Sequence, residues 1–200
     1  MTASRPRLVL ASASPRRAEL LRQAGFDFVI HPSNVDEDDF PAGLLPTNLA
    51  SFLAEQKARA VSKEFPEDAV LGADTVVAFG DKSLGKPADA KEARDMLELL
   101  SCTTHLVITG VAVNCIASDF LRRSRVMSAV RMRYLTAEEI ERYVASDLWR
   151  GKAGGYGIQD QDPFVVRTAG CHTNIVGLPM KLTASLLKEA GIVASSPPTT

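Results

Sequence analysis

The fold is decided by the stretch Leu8-Val-Leu-Ala-Ser12-Ala-Ser14-Pro15-Arg16-Arg17, in which an apolar strand runs directly into a helix. Ser14 is predicted to be the N-cap and Pro15 the first helical residue, which fixes the start of the helix. A helix N-terminus carries about half a positive charge, so each arginine in its first turn costs about 0.3–1 kcal/mol. We therefore expect an anion between these arginines.

Several hydrogen-bond donors are predicted to converge at this helix start. They are the free backbone N–H groups, the hydroxyls of Ser12 and Ser14, and the guanidinium groups of Arg16 and Arg17, as a phosphate site requires. The alternative is an ordinary capped helix whose arginines extend into water, and this segment alone does not separate the two.

The composition is that of a soluble globular protein. Of the 200 residues, 46% are hydrophobic and 24% charged, and the formal net charge is −1, which argues against disorder and against a general attraction to nucleic acid. No apolar run is long enough for a signal peptide or a membrane span. Three widely spaced cysteines suit reduced thiols. We expect a cytoplasmic protein with neither membrane nor nucleic acid as a partner.

Strand and helix patterns alternate along the chain, which predicts an α/β fold with a mixed twisted sheet and flanking helices around a cleft. We expect one domain of two lobes over residues 1–194 and a disordered tail at 195–200. The predicted strands are 7–11, 26–30, 69–79, 83–86, 104–117, 122–134 and 164–167. The predicted helices are 15–24, 49–65, 90–100, 136–146 and 179–190.

Asp74 is the strongest candidate for chemistry after the arginines. It interrupts the apolar strand Val70-Leu-Gly-Ala-Asp-Thr-Val-Val77, where a carboxylate is disfavoured unless it is paired, hydrogen-bonded or bound to metal. The alternative is a short or edge strand in which Asp74 caps a turn.

Further charged residues could join such a site. Lys57 is predicted on an inward-facing helix surface and Lys86 after a hairpin, where either could bring an ammonium group to a triphosphate. The acidic pair Asp36-Glu37 beside Asp74 would suit Mg²⁺, which prefers a few carboxylates and phosphate oxygens. Each of these groups, taken alone, is more often a solvated surface residue.

Two other patterns carry less weight. The segment Gly80-Asp-Lys-Ser-Leu-Gly85-Lys86 matches the opening of a P-loop, but Pro87 supplies neither the hydroxyl nor the immediate helix, so we reject a P-loop. The glycine-rich segment Gly151 to Gln159 permits close approach to a ligand, and the Gln159 amide offers the donor and acceptor that read the edge of a base. The same segment also fits a plain flexible loop.

Together, five motifs resemble the Maf family of nucleoside triphosphate pyrophosphatases over about residues 7–190. They are Ala11-Ser-Ala-Ser-Pro-Arg-Arg17, Leu71-Gly-Ala-Asp-Thr-Val-Val77, Gly85-Lys-Pro87, Lys152-Ala-Gly-Gly-Tyr-Gly-Ile-Gln159 and Val176-Gly-Leu-Pro179. The resemblance implies hydrolysis to a nucleoside monophosphate and pyrophosphate with a divalent metal, Mg²⁺ or Mn²⁺. It also implies an elongated, two-lobed fold like that of the inosine triphosphatases, and a homodimer.

The resemblance assigns a role to each matching position. It makes Asp74 the proton acceptor for water, and it places Glu37 and Asp74 at a metal. Substrate binding falls on Ser12, Arg16, Arg17, Lys57 and Lys86. Base specificity falls on Arg16, Thr75 and Gln159, in the manner of the branch that acts on dTTP and UTP.

The chain departs from the family pattern at two places, where Ser101-Cys102-Thr103 replaces a Ser-Gly turn and Asp160-Gln-Asp-Pro163 replaces a more glycine-rich continuation. We expect Cys102 to strain a turn that glycine fits. A non-catalytic nucleotide-binding or nucleic-acid-binding regulator of cell division is the alternative function, because the same basic pocket would serve a binder.

Overall fold

The centre of the fold is a seven-stranded mixed sheet. The structure is a computed structural model that describes residues 6–160 and 164–195. The strands are β1 Leu8–Leu10, β2 Phe28–Ile30, β3 Ala69–Phe79, β4 Lys82–Leu84, β5 Thr104–Cys115, β6 Phe120–Met132 and β7 Val165–Ala169. Their order is β2-β1-β3-β5-β6-β7, with β4 also paired to β3. β1 pairs in parallel with β2 and β3, and all the other pairs are antiparallel.

Helices flank this sheet, which confirms the predicted mixed α/β fold. They are α1 Pro15–Gln23, α2 Pro46–Ser62, α3 Ala90–Leu100, α4 Ala137–Ala145, α5 His172–Val176 and α6 Met180–Glu189. α2 begins earlier than predicted because Pro46 occupies its first turn, and α5 was not predicted. No helix in the described parts of the chain is long and apolar enough to cross a membrane.

The start of α1 differs from the prediction in one respect. Pro15 is its first residue and Ser14 precedes it with an extended backbone, as expected, but the Ser14 side chain makes no capping hydrogen bond. The predicted N-cap position is confirmed, without the side-chain bond that usually accompanies it. The Ser14 N–H donates to the hydroxyl of Ser12 at 3.2 Å, within the turn leading into the helix.

Helix α2 packs unusually close to the sheet, because glycine occupies the strand positions beneath it. A Cβ on Gly72 of β3 would lie 2.1 Å from the carbonyl oxygen of Ala54, and one on Gly110 of β5 would lie 2.2 Å from that of Ala50. Glycine weakens a strand interior, so its presence here marks a close backbone approach. The contact brings the α2 residue Lys57 next to β3.

The opposite face of the sheet carries two separate hydrophobic clusters. One packs α1 and α6 on the amino-terminal half of β3, and the other packs α3 and α4 on its carboxy-terminal half around buried Trp149. Hydrogen-bonded polar side chains lie between the clusters: Thr75, Thr109, Ser128 and Asn174. A ligand can meet the sheet at this polar row without disturbing either hydrophobic cluster.

Two smaller expectations concern the chain ends and a turn. The N–H of Ser195 donates to the carbonyl of Gly25 at 2.8 Å, and the rest of the expected tail, residues 196–200, lies outside the described residues. Cys102 has a φ of 59°, in the left-handed region that favours glycine, so the turn is strained as expected.

Replacing Gly110 with alanine should lower the free energy of unfolding by about 2 kcal/mol or more, because the new methyl group overlaps the α2 backbone. Urea denaturation followed by circular dichroism measures this loss. Gly85→Ala is the control, since a Cβ there meets nothing within 4 Å. Losses below about 0.5 kcal/mol in both variants would contradict a close-packed α2.

Candidate active site

A cleft of about 450 Å³ opens beside the polar row. β1 ends at Leu10 and β4 pairs only with residues 77–79, so in the described pairings residues 72–76 of β3 have no strand partner on that edge. The cleft is lined by the start of α1, the end of α5, the 151–160 loop and three charged side chains, Glu37, Lys57 and Lys86. Within this gap Thr75 is the residue of β3 that lines the cleft.

Arg17 is held in place by the frame of the cleft. Its Nε donates to the carbonyl of Gly177 at 2.9 Å, its Nη1 to the hydroxyl of Ser12 at 3.0 Å, and its Nη2 to the hydroxyl of Thr75 at 3.1 Å. Burial lowers the pKa of Arg17, and the nearby Asp74 carboxylate opposes that effect. The side chain therefore ties α1 to β3 and to the end of α5, and the described residues use one N–H of each terminal nitrogen and leave the other without a partner.

Arg16 reaches across the cleft in a more exposed position. Its Nη2 donates to the carbonyl of Gly151 at 3.3 Å, so it joins the start of α1 to the glycine-rich loop. Neither Arg16 nor Arg17 has a carboxylate partner among the described residues. This is the arrangement predicted for an anion site at a helix start.

A chain of four alternating charges lies on the other side of the cleft. The Lys57 ammonium donates to Asp74 Oδ1 at 2.5 Å and to Glu37 Oε1 at 2.8 Å, and Lys86 donates to both oxygens of Glu37, at 2.7 and 2.6 Å. Asp74 is 4% exposed and Lys57 5% exposed. Asp74 therefore lies directly behind the cleft wall that Lys57 forms, and it is a paired residue within a long strand rather than a turn cap.

The four alternating charges stabilise one another. Burial alone would raise the pKa of Glu37, but the ammonium groups of Lys57 and Lys86 outweigh it and lower the pKa to about 2. Glu37 is thus a carboxylate over the whole physiological pH range, and both of its oxygens accept from ammonium groups.

Glu37 and Asp74 are the predicted metal ligands. Each places an oxygen within 2.8 Å of one cationic atom, the Lys57 Nζ, so the Lys57 ammonium occupies the point on which the two carboxylates converge. Among the described residues no cluster of three metal-ligating side chains exists. Mg²⁺ is usually bound by one or two carboxylates together with substrate phosphates, and these two carboxylates would be its protein ligands here.

The predicted base-reading residue Gln159 is exposed and lines the cleft. It ends a loop in which Lys152 Nζ donates to Asp160 Oδ1 at 2.5 Å. Asp160 Oδ2 accepts from the Gly157 N–H at 2.9 Å and from the Tyr143 hydroxyl. The loop is therefore anchored at both ends rather than freely flexible.

The structure brings together the nine site residues that the resemblance assigns, but the prediction that Asp36 lies beside Asp74 was wrong: Asp36 is exposed outside this cleft, and its carboxylate accepts from the Asp38 N–H. Eight of the nine line the cleft: Ser12, Arg16, Arg17, Glu37, Lys57, Thr75, Lys86 and Gln159. The ninth, Asp74, contacts Lys57.

Two functional residues were not predicted, Lys152 and Asn174. Lys152 lines the cleft at the start of the motif Lys152–Gln159. Asn174 is fully buried and binds Thr109, which in turn contacts Thr75. The signal in the sequence that could have identified Asn174 is its position directly before the apolar residues Ile175 and Val176.

A family model and several known proteins are similar to this chain. The model of the family described as Maf-like protein matches residues 7–190. A dTTP/UTP pyrophosphatase of Cereibacter sphaeroides is 48% identical over 92% of this chain and 95% of that protein, and one of Pelotomaculum thermopropionicum is 44% identical over 92% and 96%. A solved nucleoside-triphosphatase / dITP/XTP pyrophosphatase of Mycobacterium abscessus is similar over 66% of this chain and 76% of that one, with 14% identity and a TM-score of 0.41.

Glu37→Gln should change how stability depends on pH. A carboxylate whose pKa is lowered from 4.5 to about 2 by folding stabilises the protein above pH 4.5, and this contribution is lost as the pH falls towards 2. The difference between the urea midpoints of wild type and Glu37→Gln should therefore become smaller as the pH falls from about 5 to about 2.

Glu98→Gln is the matched control, because Glu98 is an exposed glutamate of α3 that does not line the cleft. A difference for Glu37→Gln that stays constant over this pH range would show that the ammonium groups do not hold Glu37 ionised.

Proposed function

The chain belongs to the Maf-like protein family, and from this premise we propose that it hydrolyses nucleoside triphosphates, dTTP and UTP above others, to nucleoside monophosphate and pyrophosphate. The observation that carries the proposal is the composition of the cleft. Cations from four separate segments face one space, with a buried carboxylate directly behind them. Transfer of a phosphoryl-type group needs mainly charge neutralisation and a positioned water molecule, and this arrangement supplies both.

The triphosphate is held by the cations of the cleft and by the start of α1. Arg16 and the two free N–H groups of Arg17 face the anion from one side, beside the Ser12 hydroxyl. Lys57 and Lys86 face it from the other side. In the free protein the ammonium groups are neutralised by carboxylates, so the two arginines provide the uncompensated positive charge that first attracts the substrate.

Asp74 accepts the proton of the attacking water. The phosphates compete with Asp74 for the Lys57 ammonium, and loss of that contact leaves a carboxylate oxygen free to take the proton. The oxygen of the water forms a bond to phosphorus, and the bond from the α phosphorus to the bridging oxygen breaks. Pyrophosphate leaves with its charge neutralised by the neighbouring cations.

A divalent cation, Mg²⁺ or Mn²⁺, would be held by Glu37 and Asp74. When bound, it supplies neutralisation of phosphate charge and lowers the pKa of water in its coordination sphere. Two carboxylates within 2.8 Å of one cationic atom support this assignment.

Base selection rests on Arg16, Thr75 and Gln159. All three line the same cleft, and the Gln159 amide offers one donor and one acceptor to a base edge. Relatives at 41–48% identity are named dTTP/UTP pyrophosphatase, which supports a uracil or thymine base.

We also infer a cytoplasmic enzyme that forms a homodimer. All three cysteines are free thiols, as in proteins of a reducing compartment. The family resemblance supports the dimer.

Incubation with UTP and Mg²⁺ should release UMP and pyrophosphate in equal amounts, measured by chromatography and a pyrophosphate-specific assay. Asp74→Asn should bind a non-hydrolysable UTP analogue within about threefold of wild type and lose at least about 100-fold in kcat, since a general base contributes that much.

Other outcomes separate the alternatives. Release of orthophosphate would identify a phosphatase that removes the γ phosphate. Binding without any product from a full panel of nucleoside triphosphates would identify a nucleotide-binding regulator. Comparable turnover by Asp74→Asn would remove Asp74 from the mechanism.

A further inference from the structure

The carboxylate of Asp160 joins the glycine-rich loop of the cleft wall to helix α4. Its Oδ1 accepts from Lys152 Nζ at 2.5 Å, and its Oδ2 accepts from the Gly157 N–H at 2.9 Å and from the Tyr143 hydroxyl. Lys152 and Gly157 belong to the glycine-rich loop, whereas Tyr143 belongs to helix α4. One side chain thus fastens the end of the loop to its beginning and to a helix.

These contacts are shielded from water. The side chains of Asp160 and Lys152 are 11% and 13% exposed. Exposed ion pairs contribute little, but breaking a largely buried pair leaves a charge without a partner, which is costly. The loop is therefore held firmly as long as both charges are present.

The helix to which Asp160 is fastened is itself well packed. The ring of Tyr143 meets that of Phe164 edge to face at 4.7 Å between centroids, within the cluster around Trp149. Burial and the neighbouring Asp160 raise the pKa of Tyr143, so its hydroxyl stays protonated and donates. The anchor point is a rigid part of the protein rather than another loop.

The loop folds directly over the ion pair. A Cβ on Gly157 would lie 2.8 Å from both Lys152 Nζ and Asp160 Oδ1, so a larger residue at this position would push the two charges apart. The absence of a side chain lets the Gly157 N–H reach the carboxylate.

Gln159 is the residue immediately before this anchor. It is exposed to the cleft, and its side-chain amide makes no hydrogen bond among the described residues. An amide can present either its oxygen or its NH₂ group, so by itself it suits the edge of uracil and that of cytosine alike. Discrimination requires a backbone that holds the amide at one position against the base.

We propose that Asp160 is a positioning residue for base recognition, which fixes Gln159 through its bonds to Lys152, Gly157 and Tyr143. This inference rests on the proposed function, because it assigns Gln159 to the base of the substrate. Asp160 makes no contact with the base in this account. By holding Gln159 in place, Asp160 makes the Gln159 side chain bind uracil in preference to cytosine.

Isosteric replacement Asp160→Asn removes the charge that holds Lys152 while keeping the size of the side chain. The ratio of dissociation constants for the α,β-methylene analogues of CTP and UTP, measured by calorimetry, should fall about 10-fold, the worth of one well-placed hydrogen bond. With UTP as substrate, KM should rise far more than kcat falls. Gln159→Ala should give the same loss, and the double variant should show no further loss, because both changes act on one contact.

Asp68→Asn is the matched control, since Asp68 is also 11% exposed and pairs with an arginine, Arg7, away from the cleft. It should lower stability and leave the ratio within about twofold of wild type. A wild-type ratio near one, an unchanged ratio in folded Asp160→Asn, or additive losses in the double variant would each overturn the proposal. Binding needs no turnover, so an altered ratio in a protein that releases no pyrophosphate would refute the proposed function alone.

Discussion

The ammonium of Lys57 lies between two carboxylates, those of Asp74 and Glu37, and the cleft is organised around that contact. Two of these charges, those of Lys57 and Asp74, are almost fully removed from water, and such charges are tolerated only when each has a close partner. The contact exists because Gly72 and Gly110 let the α2 backbone touch the sheet. A side chain at either glycine would lift the helix and separate the ammonium from β3.

The charges divide the cleft into two unlike sides. On the α2 side, two lysines face two carboxylates and the sum is neutral, whereas at the start of α1 the two arginines bind only carbonyl and hydroxyl oxygens. A polyphosphate supplies the negative charge that the arginines lack. In the proposed mechanism its arrival also weakens the contact between Lys57 and Asp74, so that substrate binding itself frees the carboxylate that accepts the proton.

Local sequence patterns predicted the strands, most helix bounds and the residues of the cleft, because an arginine at a helix start or an aspartate in an apolar strand is costly without a partner. They did not predict that Asp74 and Lys57 would touch, since this depends on packing between distant segments. Ser14 is the N-cap residue, as predicted, but its hydroxyl makes no capping hydrogen bond. Asp160 departs from the family pattern in sequence, yet three-dimensional contacts show it to be an anchor of the loop.

The most direct test is a crystal structure with Mn²⁺ and the α,β-imido analogue of dUTP. We expect phosphate oxygens on Arg16 and Lys57, anomalous density for Mn²⁺ beside Glu37, and a carboxylate oxygen of Asp74 freed from Lys57 and facing the α phosphorus. A triphosphate bound outside this cleft, with the contact between Lys57 and Asp74 intact, would contradict the account.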